Sequence, residues 1–193
     1  MNMQKEEYPA TCDFSECPTK TEREAGFLRD QRDIEINAGQ YSESFGTVLL
    51  SGMYSTPIHA VPKPRSSKMR LVNDHSAGPF SLNSMIAHED VSGAKMDSIS
   101  VLIGALLRYR KHHLDKKLVL FKSDVPAAYR RFPLHPLWQV KQIVTIDDCW
   151  HVDRCTSFSE RGSCHDYTAF MGLVLWIAIF IKLLFNLFGY IIY

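Results

Sequence analysis

Apolar positions along this chain follow a helical spacing, then an alternating one, and finally run together almost without interruption. The residues of Glu22 to Ile36 are helix formers and predict a helix with a mixed face. Gly39 to Pro57 is turn-rich around a short apolar run, Val48 to Leu50. Pro62 and Pro64 mark an extended entry to a polar turn at Arg65-Ser66-Ser67-Lys68. Met69 to Asp74 then alternates as a half-buried strand does. Apolar residues at 99, 102, 103, 106 and 107 predict a helix over 97–113, with Asp97 as its N-cap and Gly104 as a mild flaw. Strands are expected at 118–124 and, as a hairpin, at 140–146 and 149–154, turning at Asp147-Asp148. Phe170 to Tyr193 is apolar except for Lys182 and Asn186.

These patterns predict an α+β protein with antiparallel strands, packed helices and a hydrophobic C-terminal helix. Residues 1–21 are polar and aperiodic and read as an unstructured leader. A helical and irregular connecting segment follows at 22–60, a hairpin region at 61–96, a strand-and-helix body at 97–169 and the hydrophobic helix at 170–193. No internal repeat is visible.

Candidate chemistry concentrates in two stretches. Phe121 to Pro136 reads F-K-S-D-V-P-A-A-Y-R-R-F-P-L-H-P and delivers one acidic residue, Asp124, from a short apolar strand. A carboxylate at a strand end is ionised, rigidly placed and open to a phosphate, which is what a divalent metal site requires. Upstream, Val61 to Ser76 reads V-P-K-P-R-S-S-K-M-R-L-V-N-D-H-S. Lys68 and Arg70, two apart on a strand, share a face and suit a polyphosphate, Arg through paired donors and Lys as a point charge. The plain alternative is a solvated edge hairpin whose cations deter aggregation.

Taken together, K-P-R-S-S-K-M-R-L-V-N-D at Lys63 to Asp74, Ser81-Leu82-Asn83 and the Lys122 to Pro136 run resemble the fingers and early palm of a retrotransposon reverse transcriptase. The phrasing is closest to retroelement copies found in fungal genomes, and the likeness covers about Arg23 to Phe170. The resemblance implies an RNA-directed DNA polymerase relative whose partners are primer–template nucleic acid and dNTP. Asp124 would be the catalytic, metal-binding carboxylate for Mg²⁺ or Mn²⁺, assisted by the carbonyl of Val125. Lys68 and Arg70, with Lys63 as a weaker candidate, would hold the triphosphate. Tyr129 would lie beneath the sugar and exclude a 2′-hydroxyl. The loop containing Phe158, Arg161, Gly162 and Ser163 would brace template base and nucleotide.

Two departures bear on activity. Ser159 stands where the family has glycine, a strain if that position needs φ > 0, with Gly162 as the substitute turn former. The family's second acidic motif, aromatic-x-Asp-Asp, does not occur beyond Asp166. Asp147-Asp148 lies between two apolar runs, where a hairpin turn is expected. The resemblance therefore implies a truncated, catalytically dead fragment, since one carboxylate cannot hold two metal ions in line.

Composition adds limits. A net charge of +1 over 193 residues, with 46% hydrophobic and 22% charged, describes an ordinary globular chain with modest, salt-dependent affinity for nucleic acid. Arg108 to Lys117 is the nearest approach to a basic patch, and a solvated helix C-terminus accounts for it equally well. Five cysteines, an odd count, without a signal sequence predict an intracellular protein with reduced thiols and no disulfide partner. His151, Cys155, Cys164 and His165 match no zinc spacing. The 170–193 segment supports a rival function, a small membrane protein anchored by this helix. Its apolar residues supply roughly −5 to −9 kcal/mol of insertion free energy against about +3 for Lys182. The competing reading is a palm helix buried all round.

Overall fold

The computed structural model describes residues 11–15, 21–92, 98–119 and 124–189, the last eight of these as backbone. Asp97, Cys17, residues 120–123 of the expected strand at 118–124, and residues 190–193 lie outside this range.

The chain is a mixed α+β structure. In order it forms β1 (Cys12–Asp13), α1 (Glu22–Asn37), β2 (Tyr54–Ser55), β3 (Ile58–Pro62), β4 (Met69–Asn73), α2 (Leu82–Met85), α3 (His88–Val91) and α4 (Ile99–His112). A 3₁₀ turn (Tyr129–Arg131), α5 (Pro136–Gln139), β5 (Ile143–Ile146), β6 (Cys149–Val152) and α6 (Ser163–Gly189) follow. Two compact units result, one within Met1–Val91 and Ala127–Cys164, the other within Ser92–Pro126 and His165–Tyr193.

In the first unit, α1 begins at a capping sequence T-x-x-E. Thr21 Oγ1 accepts from the Glu24 amide at 3.2 Å, and Glu22 and Glu24 place negative charge where the helix dipole favours it. The helix stops at Gly39, whose φ of +71° is open to glycine and whose N–H returns to Ile36 O at 2.8 Å. Leu28, Tyr41, Ile58, Val144 and Ile146 form a buried cluster, with Phe27, Ile36, Ala60 and Leu71 packed against it.

A four-stranded sheet runs in the order β1-β2-β5-β6, and β3 with β4 forms a separate antiparallel ribbon. In the ribbon Val61 faces Arg70, and the Lys63 amide donates to Lys68 O at 2.9 Å to close the turn. Leu71 and Asn73 point toward the core, and Arg70 is exposed.

The β5–β6 hairpin turns at Asp147 and Asp148, with φ of +52° and +55°, the paired left-handed geometry of a two-residue hairpin loop. Asp tolerates that region better than most residues. Asp147 also accepts ion pairs from Arg29 at 3.1 Å and Arg32 at 3.4 Å. The pair is a turn, as its flanking apolar runs require.

Three expectations are corrected. Cys12 and Asp13, within the stretch read as an unstructured leader, pair in parallel with Tyr54 and Ser55, and the Ser55 hydroxyl donates to Asp13 at 2.5 Å. A two-residue strand is too short to leave a periodic signal. Residues 118, 119 and 124 are not in a strand, and among the described residues no neighbouring strand supplies hydrogen bonds to them. The C-terminal helix begins at Ser163 rather than Phe170. Its first turns are polar, so apolar patterning could not reveal them.

In the second unit, the N-cap of α4 is Ser98 rather than the expected Asp97, and its hydroxyl accepts from the Val101 amide at 3.4 Å. Arg110 Nη1 donates to the carbonyl of Lys116 at 3.0 Å and folds the chain back after the helix. The apolar positions that predicted α4 are largely bare, Ile99 being 70% and Leu107 66% exposed. Within Ser163–Ile181 of α6 an 18-residue stretch has a mean hydropathy of 1.6 and no buried residue, and by length and composition the helix can cross a membrane.

Candidate functional site

The first unit holds a cleft of about 550 Å³. One wall is the face of α1 carrying Phe27, Gln31 and Glu35, a spacing of four that stacks them along the helix. The β3–β4 ribbon supplies Lys63, Arg70 and Asn73, and the loop after β6 supplies Ser157, Phe158 and Ser159. Tyr41, Arg130 and Asp153 form the floor.

That floor is a closed charge network. Arg130 Nη2 donates to Glu35 Oε2 at 2.6 Å, and Nη1 donates to both oxygens of Asp153 at 2.6 and 2.8 Å. The Cys155 amide and Asn73 Nδ2 add donors to Asp153 at 3.1 and 3.3 Å, and Gln31 Nε2 donates to Glu35 at 2.8 Å. The guanidinium lies 5.5 Å from the Tyr41 ring centroid, a cation–π contact.

Burial works against the charge on Arg130, but the carboxylates of Asp153 and Glu35 outweigh it and hold its pKa above the usual arginine value. Asp153 is fully enclosed, so burial lifts its carboxyl to about 6 while Arg130 pulls back. At neutral pH the carboxylate is ionised and paired.

Arg130 follows Tyr129 directly, and Thr156 Oγ1 donates to Tyr129 O at 2.6 Å. The Tyr129 ring meets Phe158 edge to face, centroids 4.5 Å apart. Just before, Ala127 turns the chain with φ of +51°, a left-handed conformation costing about 1 kcal/mol in a residue with a Cβ. Phe158 itself is 84% exposed.

The structure thus gathers some of the residues singled out from sequence and disperses others. Lys63, Arg70 and Phe158 line one cleft, and Tyr129 touches Phe158. Lys68 does not line it; the residue closes the ribbon turn through its carbonyl. The side chains of Lys63, Lys68 and Arg70 make no hydrogen bond or ion pair among the described residues. Arg161, Gly162 and Ser163 hold the loop instead of lining the cleft. Arg161 donates from its amide to Asn83 Oδ1 and from its side chain to Ile86 O, both at 2.7 Å. Ser163 Oγ donates to Glu160 at 3.0 Å, and Gly162 is buried. Neither Ser159 nor Gly162 has a positive φ, so serine brings no backbone strain here.

Asp124 and Val125 belong to the second unit; Asp124 is exposed and makes no hydrogen bond or ion pair among the described residues. No group of three or more His, Cys, Asp or Glu among the described residues is arranged to hold a metal ion. A lone carboxylate does not fit a two-metal centre for Mg²⁺ or Mn²⁺. Cys12, Cys149, Cys155 and Cys164 are all free thiols.

Sequence reasoning missed Glu35, Asn73, Arg130 and Asp153, which build the floor, and Asn83. Asn83 Nδ2 donates to Ser159 O at 2.7 Å and to Ser76 Oγ at 3.0 Å, bolting the segment after the ribbon to the loop. Glu35 carried one readable signal, its place four residues after Gln31 on the helix. Nothing in the local pattern marked Asp153.

No family model matches the chain, and no curated protein matches it.

Proposed function

We propose that the chain is a reverse-transcriptase-like fingers and partial palm whose first unit binds the polyphosphate of a nucleoside triphosphate without turning it over. The observation that supports this reading is the single cleft in which Lys63, Arg70 and Phe158 meet, with Tyr129 against Phe158. Two cations whose side chains have no hydrogen-bond or ion-pair partner among the described residues suit phosphate oxygens, and exposed Phe158, with half-buried Tyr129 against it, suits a sugar and base face. Turnover is not proposed, because these residues contain one of the carboxylate positions that two-metal catalysis requires. Primer–template would be a weak partner at a net charge of +1.

Calorimetric titration with a dNTP tests the reading. Binding is expected, weakened at least about tenfold by Arg70→Ala and by added salt. Equal affinity in wild type and Arg70→Ala would sink it.

A second reading rests on a different observation, the long apolar helix α6, whose Leu173 and Trp176 are more than half exposed. In it the protein is anchored in a membrane by α6 and has no enzymatic role. Carbonate-resistant membrane association that disappears on deleting residues 170–193 supports it; a chain that remains in the soluble fraction opposes it.

A further inference from the structure

Beneath the loop, His75, Ser157 and Ser159 form a hydrogen-bonded line. His75 is completely buried, and its Nε2 lies 2.9 Å from Ser157 Oγ. Ser157 Oγ lies 3.1 Å from Ser159 Oγ, and both serines line the cleft. Burial holds the imidazole neutral, its pKa down at about 4, so the ring carries one N–H.

The direction of the line follows from the other ring nitrogen. His75 Nδ1 is buried and has no hydrogen-bond partner among the described residues. A proton there would leave an orphaned donor, which costs more than a bare lone pair. The proton is therefore assigned to Nε2, which donates to Ser157. Ser157, having accepted, turns its own hydrogen toward Ser159. Ser159 accepts, and its remaining hydrogen is left facing the cleft, where Ser159 is only half-buried. Three neutral groups are thus polarised in one direction, each bond strengthening the next.

A hydroxyl that presents only a donor selects a ligand atom that can only accept. Lys63 and Arg70 line the same cleft and select negative charge. Resting on the polyphosphate reading above, we infer that Ser159 is a ligand-binding residue, its hydroxyl donating to a phosphate oxygen under the direction of His75 and Ser157. Serine at this position is then a gain of a phosphate donor rather than damage to the loop.

The test is calorimetric titration of the full chain with sodium tripolyphosphate, for wild type and for Ser159→Ala, Ser159→Thr, Ser157→Ala and Arg70→Ala. Thermal unfolding of each variant is measured alongside. A charge-assisted hydrogen bond predicts roughly tenfold weaker binding in Ser159→Ala. Affinity is retained in Ser159→Thr, which keeps the hydroxyl, and is reduced in Ser157→Ala, whose Ser159 hydroxyl is free to turn away. Wild-type affinity in Ser159→Ala, or an equal loss in Ser159→Thr, overturns this inference. If Arg70→Ala still loses binding, the polyphosphate reading survives that result. Absence of tripolyphosphate binding by the wild type overturns both.

Discussion

The two units use similar apolar residues in opposite ways. In the first, Leu28, Ile58, Val144 and Ile146 are buried together and a charge network fills the remaining space. In the second, α4 and α6 display Ile99, Leu107, Leu173 and Trp176 with half or more of each in the open. Burying a large apolar side chain stabilises a fold by roughly 2–3 kcal/mol relative to leaving it exposed. The first unit collects that free energy and the second forgoes it. Apolarity is thus a demand for a partner, and whether it is met depends on what the rest of the chain places nearby.

The largest test of this contrast is the floor of the cleft. Arg130→Ala leaves Glu35 and Asp153 buried without their cation, and is expected to lower stability by about 3–5 kcal/mol in urea denaturation. A change under about 1 kcal/mol would mean that the network does not hold the unit. Ile146→Ala is expected to remove about 2–5 kcal/mol through the cavity it creates, whereas Leu173→Ala, in the open, should change unfolding by less than about 0.5. Similar losses at both positions would erase the difference between the units.

A third prediction concerns pH. Asp153, raised to about 6 in the fold, adds stability that is complete below its unfolded value and lost as pH rises through 6. His75, lowered to about 4, adds stability that is present above its unfolded value and lost as pH falls toward 4. Each amounts to about 3 kcal/mol, and the signs oppose, so between pH 4 and 6 the two nearly cancel. His75→Gln removes the second contribution. Its stability relative to wild type is expected to rise on acidification from pH 6.5 to 4, read from urea midpoints. Parallel pH profiles would show that His75 does not titrate as its burial dictates.

The smallest effect is expected at Asp124. It is exposed and unpaired among the described residues, so Asp124→Asn should shift the melting temperature by no more than the error of the measurement. A clear loss of stability would show a structural partner for Asp124.

Much of the first unit was legible in local patterns. The helix from Glu22, the strand from Met69 and the hairpin around Asp147-Asp148 follow from composition, alternation and turn chemistry within a few residues of where they lie. The site was only half legible. Lys63, Arg70, Tyr129 and Phe158 are named by their motifs, but Lys68 and Arg161 share those motifs and do other work. The choice among them depends on which side of the ribbon faces α1, a matter of long-range packing.

What the amino-acid order determined alone is whatever depends on neighbours within a turn or a strand: the left-handed pair at Asp147 and Asp148 and the apolar run of α6. What tertiary structure decided is the pairing of groups far apart in the chain. Glu35 and Asp153 converge on Arg130, and His75 reaches Ser157 from 82 positions away. A buried charge or hydroxyl is tolerable only with a partner, and no local pattern specifies where that partner comes from.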